Sequence, residues 1–174
     1  MSNEDMSKAD MNKADFEQYG GSTPELSIAG LKTYGRIIDI YDGDTCKIIM
    51  PTFGSYYKFT IRLNEIDTCE IKSKDKVLQE SAIKARDRVF ELVTGSTAIT
   101  KNEIKKALES EVYLVWVECC EKDKYGRVLA NIYKDKATTK SISEILLEEK
   151  LAYKYKGKTK LTDDDIKKEL NILG

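Results

Sequence analysis

The chain has 174 residues, a length that suits one domain and leaves little room for a second. Its apolar content of 41% is enough to fill one core of ordinary size. It contains no histidine, which excludes imidazole acid/base catalysis and the serine or cysteine nucleophiles that depend on it. Its four cysteines show no CxxC spacing and offer too few ligands for a zinc site. Any catalysis must therefore rely on carboxylates, arginines, lysines or metal.

The net charge of −1 is unevenly distributed along the chain. Residues 1–27 hold six acids and two lysines, a balance of −4, which leaves +3 for the rest. No apolar run approaches the roughly 18 residues of a membrane span, and the N-terminus lacks the basic-then-apolar order of a secretory signal. We therefore expect a soluble, intracellular protein with no membrane association. Because the net charge is small, the local placement of charges must decide whether the protein binds a polyanion.

The N-terminus consists of three polar pentads that begin at Met1, Met6 and Met11, followed by a turn-rich stretch. Such a repeat cannot bury an apolar face. Residues 1–27 are therefore predicted to be a disordered acidic arm, and residues 28–174 the folded domain.

Strand-like and helical patterns alternate along that domain. Short β-rich runs predict strands at residues 34–41, 46–50, 56–63, 112–118 and 128–133. Apolar residues at helical spacing predict a helix over residues 77–93. Capping pairs predict further helices that begin near Thr100, Ser141 and Thr162, the first within the stretch 94–111.

The predicted order is βββαββαα, with an additional short helix before the fourth strand. This order indicates an α+β fold that is mainly β: a partly open, five-stranded Greek-key barrel with about three helices. The strand faces and loops of such oligonucleotide-binding barrels commonly contact nucleic acid. Fold alone does not establish function.

Four groups of polar residues lie at strand ends or turns of the predicted barrel. Each has an ordinary structural explanation when taken alone: a hairpin turn, a solvent-facing arginine, the start of a loop and a charged hairpin in which Gly126 takes positive φ. The groups are Asp-Gly-Asp-Thr at 42–45, Arg62, Asp-Thr-Cys-Glu at 67–70 and Asp-Lys-Tyr-Gly-Arg at 123–127.

Together the four groups supply what phosphodiester hydrolysis requires. Asp44 and Asp67 are hard oxygen ligands for a cation on the phosphoryl oxygens, and such ligands favour Ca²⁺ or Mg²⁺. Glu70 is a candidate base for the attacking water. Arg62 and Arg127 are candidate clamps, because a guanidinium donates two parallel hydrogen bonds to phosphate.

In their order along the chain these motifs resemble the staphylococcal nuclease (thermonuclease) family. Arg62 matches as part of a longer motif, Phe-Thr-Ile-Arg-Leu at 59–63, and Leu-Ala-Tyr-Lys-Tyr at 151–155 is a fifth matching motif. The five motifs span about residues 31–155. Any one of them is weak evidence, but five in sequence are specific.

The resemblance implies a Ca²⁺-dependent endonuclease on an oligonucleotide-binding barrel, with one ion per site and with Mg²⁺ or Mn²⁺ as other candidate ions. Glu70 would act on the attacking water, Arg62 would hold the scissile phosphate, and Arg127 would stabilise the transition state and the leaving oxygen. The implied metal ligands are the side chains of Asp44 and Asp67 and the carbonyl of Thr68.

The resemblance also implies DNA or RNA as substrate, single-stranded or locally melted, cut with little sequence specificity to leave 3′-phosphates. Base stacking on aromatic rings tolerates any sequence. We expect a monomer. The implied groove residues are Lys124, Tyr125, Tyr153 and Tyr155, and ordinary packing beside a helix end is the alternative for the last two.

The chain departs from the family pattern in several places. Cys69 stands where proline is usual, and a small buried filler is the expected role of its side chain. The hairpin between Asp44 and Arg62 is longer, and the insertion at 94–111 is atypical. None of these differences removes a catalytic group.

Two other functions remain open from the sequence. One is a non-catalytic nucleic-acid-binding module on the same barrel, and the other is a phosphodiesterase for small molecules. Retention of all three acids and both arginines favours the nuclease over the binding module, and the phosphodiesterase stays open.

Overall fold

The computed structural model describes residues 16–97, 100–155, 157 and 160–172. The first fifteen residues of the predicted arm lie outside this part of the chain, and residues 16–27 are exposed. No helix among the described residues is long and apolar enough to cross a membrane.

The described chain forms five long strands, two very short strands and four helices. The strands are β1 (Lys32–Ile40), β2 (Thr45–Thr52), β3 (Ser55–Leu63), β4 (Ile66–Asp67), β5 (Tyr113–Lys122), β6 (Val128–Tyr133) and β7 (Tyr153–Lys154). The helices are α1 (Lys76–Thr94), α2 (Lys101–Ser110), α3 (Ile142–Glu148) and α4 (Asp163–Leu170).

Five strands close into a barrel in the order β1-β2-β3-β6-β5, and β1 pairs with β5 to complete the ring. All neighbours are antiparallel except β3 and β6, which run parallel. Alternate residues point inward, as in β6, where Val128, Ala130 and Ile132 are buried. The predicted α+β fold with a five-stranded barrel is confirmed.

The barrel is closed rather than partly open as expected. Register shifts in β1, between Ile37 and Asp39, and in β5, between Cys119 and Lys122, provide a physical reason. Such bulges bend a strand and increase its twist, which allows the two edges to meet. The second shift also lies in the part of β5 that runs four residues beyond the predicted strand end.

Helix α1 packs on the barrel with its small and apolar side chains. Asp75 caps it by accepting hydrogen bonds from the backbone N–H groups of Val77 and Leu78, and Gly95 ends it at φ 76°. The helix exceeds the predicted bounds by one residue at each end. Its buried face includes Ala85, which reaches the turn before β2.

The insertion at 94–111 contains α2, the additional helix expected there, so the described chain has four helices rather than about three. Thr100 and Glu103 form the predicted capping box. Ile104 and Leu108 are fully buried in the main core. The insertion therefore adds a layer to the core.

A two-stranded sheet outside the barrel joins the C-terminal part of the chain to the end of β3. Strand β4 pairs with β7, with Asp67 opposite Tyr153. Just beyond it, the Tyr155 N–H donates to the Glu65 carbonyl oxygen at 2.8 Å. Strands of two residues carry no periodic pattern, so the sequence did not predict this sheet.

Candidate active site

A guanidinium group joins two buried carboxylates at the end of β3. Arg62 Nη1 lies 2.8 Å from Asp44 Oδ1, and Arg62 Nη2 lies 2.9 Å from Asp67 Oδ1. The side chains of Arg62, Asp44 and Asp67 are 12%, 4% and 7% exposed. Burial would lower the pKa of Arg62, but the two carboxylates raise it, so the guanidinium stays charged.

The turn between β1 and β2 fixes the Asp44 backbone. The Asp44 N–H donates to Asp42 Oδ1 at 3.1 Å, and its carbonyl accepts from the Leu63 N–H at 2.8 Å. Gly43 lies so close to α1 that an added Cβ would stand 2.6 Å from the Ala85 Cβ. The Asp-Gly-Asp sequence therefore makes a turn and also presents a carboxylate.

Three further donors hold the Asp44 carboxylate. Thr45 Oγ1 donates to Oδ1 at 2.8 Å, and Oδ2 accepts from the Thr68 N–H at 3.1 Å and from Thr68 Oγ1 at 3.4 Å. Burial raises the pKa of Asp44 to about 7, with a further increase from the Asp42 and Asp67 carboxylates, despite the opposite effect of Arg62. Added positive charge at this cluster would favour the ionised carboxylate.

Tyr153 supports Asp67 and does not line the cleft. Its hydroxyl donates to Asp67 Oδ2 at 3.2 Å, and burial together with that carboxylate raises the pKa of Tyr153, so the phenol stays a donor. The side chain packs in a small core with Cys69, Leu78 and Ala82. Its ring is therefore not free for the base stacking predicted for it, and Cys69 is buried in the same core.

Glu70 is exposed and paired with Lys160. The Glu70 Oε1 lies 2.7 Å from the Lys160 Nζ, and the two side chains are 71% and 63% exposed. This contact raises the pKa of Lys160. No sequence pattern singles out Lys160, because it lies in a lysine-rich stretch where no spacing distinguishes one lysine from the next.

The turn between β5 and β6 presents Arg127. Asp123 accepts hydrogen bonds from Arg127 Nε at 2.6 Å and from the backbone N–H groups of Tyr125 and Arg127 at 2.9 Å. Gly126 has φ 80°, as predicted. Within the described residues the Arg127 Nη groups make no hydrogen bond, so they remain available to a ligand.

All these groups except Tyr153 meet at one open cleft of about 520 Å³. The Tyr155 ring centroid lies 5.9 Å from Arg62 Cζ, and the Tyr125 ring centroid lies 5.6 Å from Arg127 Cζ. Aromatic faces thus stand beside both arginines. The predicted site residues on the cleft wall are Asp44, Arg62, Asp67, Thr68, Glu70, Lys124, Tyr125, Arg127 and Tyr155.

The cluster offers oxygen donors to a cation, but only two carboxylates. Across the described ranges, no group of three or more His, Cys, Asp or Glu side chains is arranged to hold a metal ion. Asp44 and Asp67 are buried, and their Oδ1 atoms lie within 3 Å of one guanidinium. This donor set fits a hard cation such as Ca²⁺ or Mg²⁺ whose remaining ligands are carbonyl and water oxygens.

Comparisons with known proteins agree with this geometry. The sequence model of the family described as staphylococcal nuclease homologue matches residues 60–171, which include Arg62, Asp67, Glu70 and Arg127 but not Asp44. Endonuclease YncB of Bacillus subtilis (strain 168) is 35% identical over 125 residues, which are 70% of this chain and 49% of that protein. The chain thus spans about half the length of this curated relative. It belongs to the staphylococcal nuclease homologue family.

Proposed function

We propose that the protein is a metal-dependent nuclease that hydrolyses phosphodiester bonds of DNA or RNA. The observation that carries the proposal is the cleft itself, where the cluster of Arg62 with Asp44 and Asp67 opens beside Glu70 and Arg127. A relative named as an endonuclease and the family match support the same activity. All the proposed groups come from one chain, so a monomer would suffice.

Asp44, Asp67 and the Thr68 carbonyl would hold a Ca²⁺ ion. A bound cation would supply positive charge to the phosphoryl oxygens and orient a water molecule. Two carboxylates give a weak ligand set, so we expect modest affinity and some tolerance of Mg²⁺ or Mn²⁺.

The protein's own side chains would perform the other parts of the reaction. Arg62 and Arg127 would hold the phosphate from two sides, since each guanidinium carries a fork of N–H donors. Glu70 would take the proton of the attacking water. In the free protein Glu70 is paired with Lys160, so this exposed contact must open before Glu70 can act. An exposed ion pair stabilises a protein by only about 0–1 kcal/mol. A bound phosphate that attracts Lys160 could therefore release Glu70.

The cleft walls favour a single strand over a duplex. Tyr125 is 72% exposed, and the Lys124 Nζ lies 5.1 Å from the centroid of its ring. Bases can stack on Tyr125 and Tyr155, and Lys124 can contact a phosphate, but neither contact reads base identity. We therefore propose single-stranded or locally melted nucleic acid as substrate, cut with little sequence specificity.

Digestion of single-stranded DNA and RNA tests the proposal. We expect cleavage with added Ca²⁺, none with chelator, and fragments that end in 3′-phosphates. Glu70→Gln should lose turnover, whereas Glu80→Gln, the same change at an exposed position of α1, should not. Intact nucleic acid with every metal tested would contradict the proposal.

Binding without cleavage would instead favour a non-catalytic binding module. One observation speaks for that alternative, namely that Glu70 is held in an ion pair with Lys160. Hydrolysis of nucleotide esters but not of polymers would indicate a small-molecule phosphodiesterase. The same set of assays therefore separates the three functions.

A further inference from the structure

One face of the hairpin formed by β2 and β3 continues outward from the cleft. Thr45 lies opposite Arg62, and both line the cleft. Directly opposed residues of antiparallel strands point to the same side of the sheet. The next three pairs outward on that side are Lys47 with Thr60, Ile49 with Lys58 and Pro51 with Tyr56, and we call these six residues the hairpin face.

The hairpin face carries positive charge and an exposed aromatic ring. Lys47, Lys58 and Thr60 are exposed, and Tyr56 is 74% exposed. Lys47 Nζ lies 4.0 Å from Asp39 Oδ2, at the limit of an ion pair, and within the described residues Lys58 has no ion-pair partner. Both lysines therefore retain charge that a phosphate could neutralise.

The tip of the hairpin adds a second exposed aromatic side chain. Phe53 and Gly54 link the paired residues Thr52 and Ser55, and both have positive φ, 49° and 76°. A bulky residue at positive φ is unfavourable, and asparagine or glycine is usual in such a turn. Phe53 is nevertheless 66% exposed, so burial of its ring does not offset this unfavourable backbone conformation.

A groove of about 570 Å³ lies beside the tip, within the size range of small-ligand pockets. Its walls include Ile28, Leu31, Pro51, Phe53 and Tyr56. Pro51 and Tyr56 thus belong both to this groove and to the outermost pair of the hairpin face. The cleft, the face and the groove form one continuous surface.

We propose that single-stranded nucleic acid leaving the cleft runs along the hairpin face and stacks a base on Tyr56. From Arg62 to Tyr56 the strand spans six residues, or about 20 Å at 3.4 Å per residue. Lys47 and Lys58 contact backbone phosphates along this path, and Phe53 with the groove receives the base beyond Tyr56. The surface is an extended binding site with no part in the chemical step, and it rests on the proposed function.

The continuity of the hairpin face with the cleft and the positive charge of that face favour single-stranded nucleic acid as the ligand. Single-stranded nucleic acid held at Arg62 meets no acidic side chain on the hairpin face, because none of the six residues of that face is acidic. Lysines alternating with an aromatic ring match the backbone and the bases of a single strand. A protein partner would leave nucleic-acid affinity unchanged when the face is altered, so the test below separates the two.

Two variants and two substrate lengths test the proposal. Tyr56→Ala should weaken binding of an oligonucleotide of about 12 nucleotides by about 5- to 150-fold, the range for loss of one stacked base. Lys58→Met should reduce the slope of log affinity against log salt by about 0.7, the value for one phosphate contact on a single strand. Neither change should alter cleavage of a dinucleotide that fills only the cleft, and turnover at saturation should be unchanged.

Matched controls come from exposed residues elsewhere on the chain. Tyr19→Ala removes a tyrosine that is 60% exposed, and Lys105→Met removes a lysine whose side chain is 66% exposed. Neither control should change affinity. If Tyr56→Ala and Lys58→Met bind the long oligonucleotide like the wild type while the wild type cleaves it, the extended site is refuted and the nuclease assignment stands. A wild type that neither binds nor cleaves any nucleic acid refutes both.

Discussion

Replacement of Arg62 by methionine should destabilise the metal-free protein strongly. The change keeps most of the side chain's length but removes the only positive charge that, among the described residues, contacts both Asp44 and Asp67. Because all three side chains are at most 12% exposed, the two carboxylates would stay buried with hydrogen bonds from Thr45, Thr68 and Tyr153 but, among the described residues, with no opposite charge in contact. Breaking a buried ion pair in this way costs about 3–5 kcal/mol.

A surface arginine provides the matched control. Arg88 pairs with Glu91 and Glu149, but its side chain is 29% exposed and its partners are 43% and 35% exposed. Arg88→Met should therefore cost at most about 1 kcal/mol. For a chain of this size each kcal/mol lowers Tm by roughly 2–4 °C, so the expected losses are about 6–20 °C for Arg62→Met and at most about 4 °C for the control.

The assay is thermal unfolding in chelator, followed by circular dichroism. A triple variant, Arg62→Met with Asp44→Asn and Asp67→Asn, removes both charges as well and should regain most of the lost stability. A Tm for Arg62→Met within the range of the Arg88 control would refute the account of a charge cluster. Failure of the triple variant to recover would show that packing, and not charge, caused the loss.

Two other predictions concern the turn before β2 and the cap of α1. Gly43→Ala should lower the free energy of unfolding by about 1–3 kcal/mol and lower turnover, because the new Cβ would stand 2.6 Å from the Ala85 Cβ. The control Gly20→Ala, whose Cβ would have no atom within 4 Å, should change that free energy by at most about 0.5 kcal/mol. Equal unfolding midpoints of the two variants in denaturant would contradict this. Asp75→Ala should lower Tm at pH 7, and the difference from the wild type should shrink as the pH falls below 3.8. A hydrogen bond from Lys167, and then those from the backbone, lower the pKa of Asp75 from 3.8, so the stability that its carboxylate contributes is lost as pH falls through the folded-state pKa. A Tm difference that does not change with pH would exclude the carboxylate as the cause.

Local sequence patterns were sufficient for the helices and the five long strands of this fold. The helical spacing of apolar residues predicted α1 to within one residue at each end, and the pair Thr100 and Glu103 predicted α2. Short β-rich runs predicted the five barrel strands. These signals are local because a helix or strand buries one face, and its own spacing records which face that is.

The motifs also indicated which residues to examine, but not which of them touch. Asp44 and Asp67 are 18 and 5 residues from Arg62, and only the pairing of β2 with β3 and of β4 with β7 brings all three together. No sequence pattern indicated that one guanidinium holds both carboxylates. Side-chain contacts of this kind depend on strand register, which acts between distant segments.

The sequence by itself determined the helices and long strands, the barrel class and the set of candidate catalytic side chains, because spacing and residue chemistry are properties of short segments. The tertiary structure alone decided that Tyr153 supports Asp67 from a buried position, that Lys160 holds Glu70, and that Lys58 and Tyr56 extend in line from the cleft. Burial and contact depend on what the rest of the chain packs against each residue, and no local pattern records that.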